Sequence, residues 1–353
     1  QRTFTLRTVE DTLKIRGFIE QKQPKTAVVI GGGFIGLEMA ENLAKLGIKT
    51  TIVQRSNHLL PTVDCDIASF IHANFRHHGV QLLLNTNTNK MSITGEQVSL
   101  YLDNGSNISA DMVVLAVGVT PENTLAKKIG LQLGVKGAIK VNAKMETSIP
   151  DIYAVGDAVE VKHFITDKDS VISLAGPANK QGRIVADNIC GLNSEYKGSQ
   201  GSSVIKLFDM TVATTGINEQ QAKANGIKYE KVILTQNSHA GYYPGATAMT
   251  VKLIFEKSTY KILGAQIASF LFSPRRAAAM DSGRLRPFCP SLVCAQKIRP
   301  SRSAITACKY RDVGTVVPAS PIIDRLSGCR PAASVAAAPP MNCLLSMSLP
   351  SSA

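Results

Sequence analysis

The sequence contains no apolar run long enough to span a membrane, and no cleavable signal pattern opens it. We therefore expect a cytoplasmic protein without a membrane partner. Five of its seven cysteines lack the spacing of a zinc site, so no metal is expected; they are Cys289, Cys294, Cys308, Cys329 and Cys343. The chain begins with Gln1 rather than Met and soon enters a predicted helix, Val9 to Gln21, which suggests a piece of a longer protein.

The net charge of +13 is concentrated near the end of the 353-residue chain. Residues 274–353 hold 11 Lys and Arg against 3 Asp, which gives +8, together with 10 of the 16 prolines. This segment has neither helical nor strand periodicity, so we predict that residues 273–353 are a disordered or out-of-frame tail. A basic arm for nucleic acid is the alternative, but no aromatic interleaving or motif supports it. We therefore expect no nucleic-acid partner.

Residues Thr26 to Gly47 combine a strand, a glycine-rich turn and a helix. Ala27 to Ile30 form an apolar run that is typical of a buried parallel strand. Gly31, Gly33 and Gly36 then occupy the G-x-G-x-x-G positions, which serve the tight turn, the approach of a pyrophosphate and the close packing of helix on strand. This context predicts a dinucleotide site with phosphates at the helix N-terminus. The alternative is a tight turn that binds nothing.

The end of the next predicted strand, Lys49 to Ser56, bears on the choice of cofactor. NAD sites carry Asp or Glu here to hold the ribose hydroxyls, whereas this chain has Gln54 followed by Arg55. An acidic side chain repels a 2′-phosphate, and a guanidinium grips it. The sequence therefore favours NADPH over NADH, with a solvated loop charge as the alternative for Arg55.

Two further segments predict the walls of a ligand crevice. Met112 to Asn123 read as a buried strand that runs into a loop containing Gly118, and such loops line the crevice of an open α/β sheet. Ile152 to Val155 are predicted as a short strand, after which Asp157 reaches the crevice and accepts hydrogen bonds from sugar or ribityl hydroxyls. A helix N-cap is the alternative role for this Asp. A helix is predicted over Leu174 to Gly191.

From about residue 200 the pattern predicts a separate antiparallel α+β domain. It includes a capped helix from Asn218 to Gly226. Between two of its strands, the loop Ser238 to Ala246 brings together Tyr242 and Tyr243. This loop is either an aromatic surface loop or the wall of an interface or substrate site.

The chain resembles the flavin-dependent pyridine nucleotide-disulfide oxidoreductases in four motifs, which are GGGFIGLEMAENL, AVGVTP, TSIPDIYAVGDA and AGPANKQGRIVADNI. Within that superfamily, LAGPANKQGR and SHAGYYPGA are most similar to the coenzyme A-disulfide reductase and NADH oxidase/peroxidase branch. The resemblance covers about residues 1–270.

This resemblance implies an α/β fold in which a Rossmann-like NAD(P)-binding domain is inserted in an incomplete FAD-binding domain and is followed by a truncated α+β dimerisation domain. The implied parts are a remnant of the FAD domain with a linker helix (1–25), the NAD(P)-binding domain (26–145), the C-terminal segment of the FAD domain (146–198), a partial dimerisation domain (199–272) and the tail (273–353). The implied cofactors are FAD and NAD(P)H, and the implied assembly is a homodimer.

The resemblance also implies roles for single residues. Phe34 matches an aromatic gate over the flavin, and Glu38 matches an acidic residue near the nicotinamide that pairs with a lysine of the FAD domain. Asp157 matches the ribityl ligand of FAD, while Tyr242 or Tyr243 approaches the partner's active site. The expected catalytic residues are Glu38, Tyr242 and Tyr243. The expected cofactor-binding residues are Gly31, Gly33, Phe34, Ile35, Gly36, Gln54, Arg55, Gly118, Asp157 and Ala178.

The chain departs from the family where the first FAD glycine turn and the redox cysteine are expected, because neither Cys65 nor Cys190 has that context. We therefore expect this chain to be inactive in flavin-mediated turnover. The function implied for the family is NAD(P)H-dependent reduction of a disulfide such as coenzyme A disulfide. The alternatives are an NADH oxidase or peroxidase that works through a cysteine sulfenic acid, and a non-catalytic NAD(P)-binding fragment.

Overall fold

The computed structural model describes residues 2–243 and 245–270. The predicted tail, residues 273–353, lies outside the described residues. Within the described part, no helix combines the length and the apolar character that crossing a bilayer requires.

A five-stranded parallel sheet carries the glycine-rich turn. Its strands, in spatial order β1-β8-β2-β3-β4, are Thr3–Thr5, Met112–Leu115, Thr26–Ile30, Lys49–Val53 and Gln81–Leu83. The chain continues from β2 to β3 on one side, while β8 lies on the other side, so the strand order reverses at β2. A crevice forms beyond the carboxyl ends of the strands at such a reversal. Strand β1 pairs with β8, so residues 3–5 join this sheet.

Three helices accompany this sheet, and the bounds of the first agree with the predicted helix Val9 to Gln21 within one residue. They are α1 (Val9–Lys22), α2 (Phe34–Lys45) and α3 (Cys65–His77). Thr8 caps α1 in a reciprocal capping box with Asp11, which satisfies amides that the helix leaves unpaired. Leu37 of α2 and Ile67 of α3 are fully buried in the core beside the sheet, because the apolar positions of both helices repeat with helical spacing.

A three-stranded antiparallel sheet contributes to a second apolar cluster with the parallel sheet. Its strands are β5 (Thr88–Thr94), β6 (Gln97–Leu102) and β7 (Asn107–Ala110). A hairpin around Asp103–Gly105 connects β6 and β7. Strand β5 is an addition to the prediction, because its exposed, largely polar sequence lacks the alternation of a half-buried strand. Leu100 of β6 packs with Val28 and Val113 of the parallel sheet.

The middle of the chain forms two helices and three short strands. They are α4 (Thr124–Lys128), β9 (Ile139–Lys140), β10 (Val159–Lys162), β11 (Asp169–Ser170) and α5 (Ala175–Ile189). The predicted strand Ile152 to Val155 was wrong: only an isolated bridge between Tyr153 and Glu146 forms there. The regular pairing lies a few residues later, where β10 is flanked by β9 and β11.

The last domain is the predicted antiparallel α+β unit. Its elements are β12 (Ser203–Leu207), β13 (Met210–Gly216), α6 (Glu219–Ala224), β14 (Tyr229–Asn237), β15 (Ala248–Glu256) and β16 (Ile262–Ser269). The sheet order is β12-β13-β16-β15-β14. Asn218 caps α6 in a capping box with Gln221, as its place before a short helix predicts.

Candidate nucleotide-binding site

The three glycines of the turn between β2 and α2 have different surroundings. Gly31 has a φ of +108°, and a Cβ there would overlap the carbonyl oxygen of Ala116 at the end of β8. A Cβ on Gly36 would overlap the carbonyl oxygen of Gly31. Both positions therefore require glycine for the turn itself and for the packing of α2 on β2.

Gly33 is the residue at which the structure leaves room for a ligand. It is the N-cap of α2, has ordinary extended backbone, and a Cβ there would meet nothing within 4 Å. No side chain caps this helix end, and its first turn has no acidic residue. The first amides of α2 thus have no side-chain cap, and the helix begins beside open space at Gly33, an arrangement that fits a diphosphate.

The side chain of Gln54 holds the glycine turn by hydrogen bonds. Its side-chain oxygen accepts a hydrogen bond of 2.9 Å from the amide of Gly32, and its side-chain amide donates to Ser56 and to the carbonyl of His58. Gln54 is buried. These contacts hold the backbone of the turn, so a direct contact of Gln54 with the cofactor stays a prediction.

Arg55 lies beside this buried glutamine but is exposed. In the described part of the chain, no ion pair or hydrogen bond of its guanidinium is found. The neighbouring backbone is fixed, because Asn85 and Thr86 donate to the carbonyls of Ser56 and Gln54. The guanidinium is thus a charged group on an ordered segment at the carboxyl end of β3, where an adenosine ribose is expected.

The loop after β8 borders the turn on its other side. Ala116 donates to the carbonyl of Ile30, and Val117, Gly118 and Val119 follow with exposed surfaces. Gly118 has a φ of +124°, which favours glycine. The predicted crevice residue Gly118 therefore lies in a loop at the carboxyl edge of the sheet, as the glycine turn does.

Helix α2 carries three further predicted site residues. Phe34 and Ile35 begin the helix and are partly buried against the main core. Glu38 lies one turn later, is half-buried, and has its pKa raised by burial and by the negative charge of Glu41. Glu41 forms an ion pair with Lys45, whereas Glu38 has no ion pair within the described residues. The lysine expected to pair with Glu38 therefore has no counterpart in this part of the chain.

Asp157 lies in a single 3-10 turn, Gly156–Ala158, and is exposed. The amide of Gly156 donates to the side-chain oxygen of Gln181 at 2.7 Å, and Gly156 has a φ of +80°. Ala178, in the first turn of α5, approaches Gly156. The structure thus brings two predicted cofactor-binding residues, Asp157 and Ala178, to one place, where the α5 N-terminus has no side-chain cap.

Tyr242 and Tyr243 lie in the connection between β14 and β15. They are 83% and 60% exposed, and their ring centroids are 4.8 Å apart. Both rings are therefore accessible to a ligand or to another protein chain. In the same connection, His239 interacts with Ser238 through Nδ1 at 3.1 Å.

Sequence reasoning missed a charged cluster at the start of α3. The side chain of Lys252, in the middle of β15, is fully buried, and its Nζ lies 2.9 Å from Asp64, 2.7 Å from Asp66 and within ion-pair distance of Glu219. Burial alone would lower the pKa of Lys252, but hydrogen bonds to these carboxylates raise it to about 12. Burial alone would raise the pKa of Glu219, but hydrogen bonds from Lys231, Lys252 and Tyr229 lower it to about 2.

The three carboxylates of this cluster lie within 4.8 Å of one another, an arrangement that by itself suits a metal ion. The ammonium group of Lys252 occupies the position of the cation instead. No local pattern signals this cluster, because the residues that meet, such as Asp64 and Lys252, are as far apart as 188 positions in the sequence.

Comparisons with known proteins fit this geometry. The pyridine nucleotide-disulphide oxidoreductase family matches residues 1–182, and the dimerisation domain of the same family matches residues 202–273. The chain belongs to the pyridine nucleotide-disulphide oxidoreductases. This confirms the resemblance drawn from the four motifs and the expected fold class.

Three relatives show which members of the family the chain is similar to. The NAD(P)H sulfur oxidoreductase (CoA-dependent) of Pyrococcus furiosus is 35% identical over 281 residues, which are 78% of this chain and 63% of that protein. A coenzyme A disulfide reductase of Staphylococcus aureus is 33% identical over 264 residues, which are 74% of this chain and 59% of that protein. The crystal structure of reduced Bacillus anthracis CoADR-RHD has a TM-score of 0.75 and 47% identity, and the match covers 80% of this chain and 51% of that one. The chain thus spans between half and two thirds of the length of these relatives.

Proposed function

We propose that the chain binds NAD(P)H at the glycine turn and serves a flavin-dependent oxidoreductase that reduces a disulfide such as coenzyme A disulfide. The observation that carries this proposal is the open space at Gly33, combined with the uncapped N-terminus of α2. A turn built only for packing would not need glycine at this position, because a side chain there meets no neighbouring atom.

NAD(P)H and FAD would bind at two different places in the chain. Gly31, Gly33 and Gly36 would shape the site for the dinucleotide diphosphate, and the Gly118 loop would border the nicotinamide half. Asp157 and the first turn of α5 would hold FAD, which when bound relays electrons from NAD(P)H to the acceptor. The exposed carboxylate of Asp157 fits this role, because it can accept hydrogen bonds from ribityl hydroxyls.

Glu38, Tyr242 and Tyr243 are proposed as the residues that act at the reacting groups. The raised pKa of the half-buried Glu38 fits a carboxyl group beside a cofactor, because perturbed titrations concentrate at functional sites. The exposed tyrosine pair fits a surface that meets a second copy of the chain, and the matched dimerisation domain supports a homodimer.

The substrate class rests on the relatives. Two of them are named for coenzyme A-dependent sulfur reduction and for coenzyme A disulfide reduction. We propose a disulfide as the acceptor on that basis, and NADPH as the preferred donor on the basis of the exposed, unpaired Arg55.

The test uses the purified chain supplied with FAD, NADPH and coenzyme A disulfide. Release of free thiol that depends on all three supports the proposal and would contradict the expected inactivity of this chain. NADPH consumption that needs oxygen but not the disulfide would identify an oxidase instead. Nucleotide binding without flavin uptake would indicate a non-catalytic nucleotide-binding role. Gly33→Val serves as the matched variant, because it adds a branched side chain at a position where a Cβ meets no protein atom within 4 Å, in the space assigned to the diphosphate.

A further inference from the structure

The segment that joins β3 to α3 packs directly on the glycine turn. We call residues 54–63 the nucleotide loop. The amide of Leu60 donates to the carbonyl of Gly32 at 2.7 Å, and Gln54 at the start of the loop accepts from the amide of the same glycine. Leu59 and Leu60 are fully buried, and Leu60 has a φ of +53°, which a non-glycine residue keeps only when its surroundings enforce it. The position of the turn therefore depends on the position of this loop.

The far end of the nucleotide loop is held by the dimerisation domain. The side-chain amide of Asn218 donates to the carbonyl of Pro61 at 3.1 Å. Gln266 of β16 binds Asp64, the N-cap of α3, twice: it accepts from the Asp64 amide at 2.8 Å and donates to the Asp64 carboxylate at 2.6 Å. The amide of Glu219 donates to the other carboxylate oxygen of Asp64 at 3.0 Å. Four hydrogen bonds thus fix one end of the loop to another domain.

Lys252 supplies the buried positive charge at this contact between domains. Its ammonium forms ion pairs with Asp64 and Asp66, both at the start of α3, and with Glu219 of the dimerisation domain. Lys231, which is more exposed, also pairs with Asp66 and Glu219. Without Lys252, three carboxylates would share the single cation of Lys231, and Asp64 would lose its only ion pair among the described residues, which is unfavourable for a buried carboxylate. Lys252 therefore favours the arrangement that places Asp64.

We propose that Lys252 and Gln266 are positioning residues for the dinucleotide, which act from the dimerisation domain through Asp64 and the nucleotide loop on the glycine turn. This inference rests on the proposed nucleotide binding at that turn. It makes the affinity for NAD(P)H depend on side chains that lie in a different domain and do not touch the nucleotide. Lys252 and Gln266 lie on neighbouring strands whose register places them opposite one another, so they act as a unit.

The experiment compares Lys252→Met and Gln266→Leu with the wild-type chain and with Asn74→Ala as the matched control. Asn74 is also buried, and its amide donates to the carbonyl of Leu207 at 2.8 Å, so it links α3 to the same domain without contacting the nucleotide loop. The readouts are the dissociation constant for NADPH, from its fluorescence, the free energy of unfolding, and hydrogen exchange of the Leu60 amide in the absence of nucleotide.

We expect the NADPH dissociation constant to rise about tenfold in Lys252→Met and less in Gln266→Leu, as couplings of this kind are typically 5- to 150-fold. The Leu60 amide should exchange faster in both. Lys252→Arg should restore most of the affinity, because it retains the positive charge. Asn74→Ala should lose stability but keep the wild-type dissociation constant.

Equal nucleotide affinity in wild type, Lys252→Met and Gln266→Leu would overturn the proposal, as would an equal loss of affinity in Asn74→Ala. If Lys252→Met does not fold, Gln266→Leu decides, because it leaves every charge of the cluster in place. A wild-type chain that does not bind NADPH refutes the proposed function. In that case, hydrogen exchange of the Leu60 amide still tests the link from Lys252 and Gln266 to the nucleotide loop. Unchanged exchange in the variants would refute this link as well. Faster exchange would support the link and refute only the binding of NADPH at the turn.

Discussion

The side-chain oxygen of Gln54 lies 2.9 Å from the amide nitrogen of Gly32 and accepts its hydrogen bond. Gln54 directly follows strand β3, where many dinucleotide sites present a carboxylate that faces the ribose. Here the residue at that point is turned inward and buried, and it holds the turn. The first side chain available to the adenosine end is therefore the exposed guanidinium of Arg55.

The first prediction concerns this guanidinium. Arg55→Ala should weaken NADPH binding about tenfold and leave NADH binding unchanged, because only NADPH carries the 2′-phosphate that forms a charge-assisted hydrogen bond with Arg55. Fluorescence titration with each nucleotide measures both constants. Lys49→Ala is the control, since Lys49 is an exposed cation at the opposite end of the same strand. A clear NADH preference that Arg55→Ala does not alter would contradict the assignment.

The second prediction separates two glycines of the turn. Gly36→Ala should destabilise the chain by about 1–3 kcal/mol or more, because the added methyl group overlaps the carbonyl of Gly31. Gly33→Ala should cost about 1 kcal/mol or less, because its methyl group meets open space and only the helix N-cap preference is lost. Urea unfolding of both variants provides the comparison. Similar stabilities of the two variants would show that the turn does not have the described packing.

The third prediction concerns His72. The Leu59 amide donates to its Nε2 at 3.1 Å, so the ring must be neutral there, and burial together with the charges of Arg76 and His58 lowers its pKa to about 4. The unfolded chain takes up this proton near pH 6.5, the folded chain only near pH 4, so folding stability falls as the pH decreases through this window.

Replacing this ring should flatten that part of the pH profile. His72→Gln retains an acceptor for the Leu59 amide but does not titrate, so its unfolding free energy should depend less on pH between 6.5 and 4. His77→Gln is the matched substitution for comparison, because it makes the same exchange at an exposed position at the end of the same helix. Identical slopes in wild type and His72→Gln would exclude the neutral, half-buried state of His72.

The fourth prediction concerns Glu38. Its pKa in the folded chain is raised by burial and by Glu41, so the folded state holds the proton more tightly than the unfolded state. The charged form therefore costs stability, and this cost appears as the pH rises above about 4.5 and through the folded pKa. Glu38→Gln should stabilise the chain at pH 7, and the gain should disappear below pH 4.5.

Denaturant unfolding at pH 7 and at pH 4 measures this difference. Glu20→Gln is the matched control, because Glu20 forms an exposed helical ion pair with Arg16 and should change stability by no more than about 0.5 kcal/mol. A destabilised Glu38→Gln at neutral pH would mean that the carboxylate has a stabilising partner.

The sequence allowed the glycine turn and its flanking elements to be predicted because their signals are local. The apolar run of β2, the glycine spacing and the periodicity of α2 all lie within residues 26–47. The capping box at Asn218 is likewise contained in four residues. Local signals of this kind survive in the fold, because each specifies its own backbone conformation.

Other elements could not be predicted because distant residues create them. Strand β5 is polar and exposed, and it forms because its backbone pairs with β6. The cluster around Lys252 joins positions that are up to 188 residues apart, and the two hydrogen bonds between Gln266 and Asp64 span 202 residues. The inward orientation of Gln54 also depends on the loop that returns to the glycine turn.

Calorimetric titration of NADPH into the wild-type chain and into Gly33→Val tests the central claim most directly. The account predicts saturable binding at one site per wild-type chain, and its loss in Gly33→Val without a loss of the cooperative unfolding transition. Binding of equal strength by both chains, or no binding by the wild-type chain, would contradict the assignment of the helix N-terminus at Gly33 as a dinucleotide site.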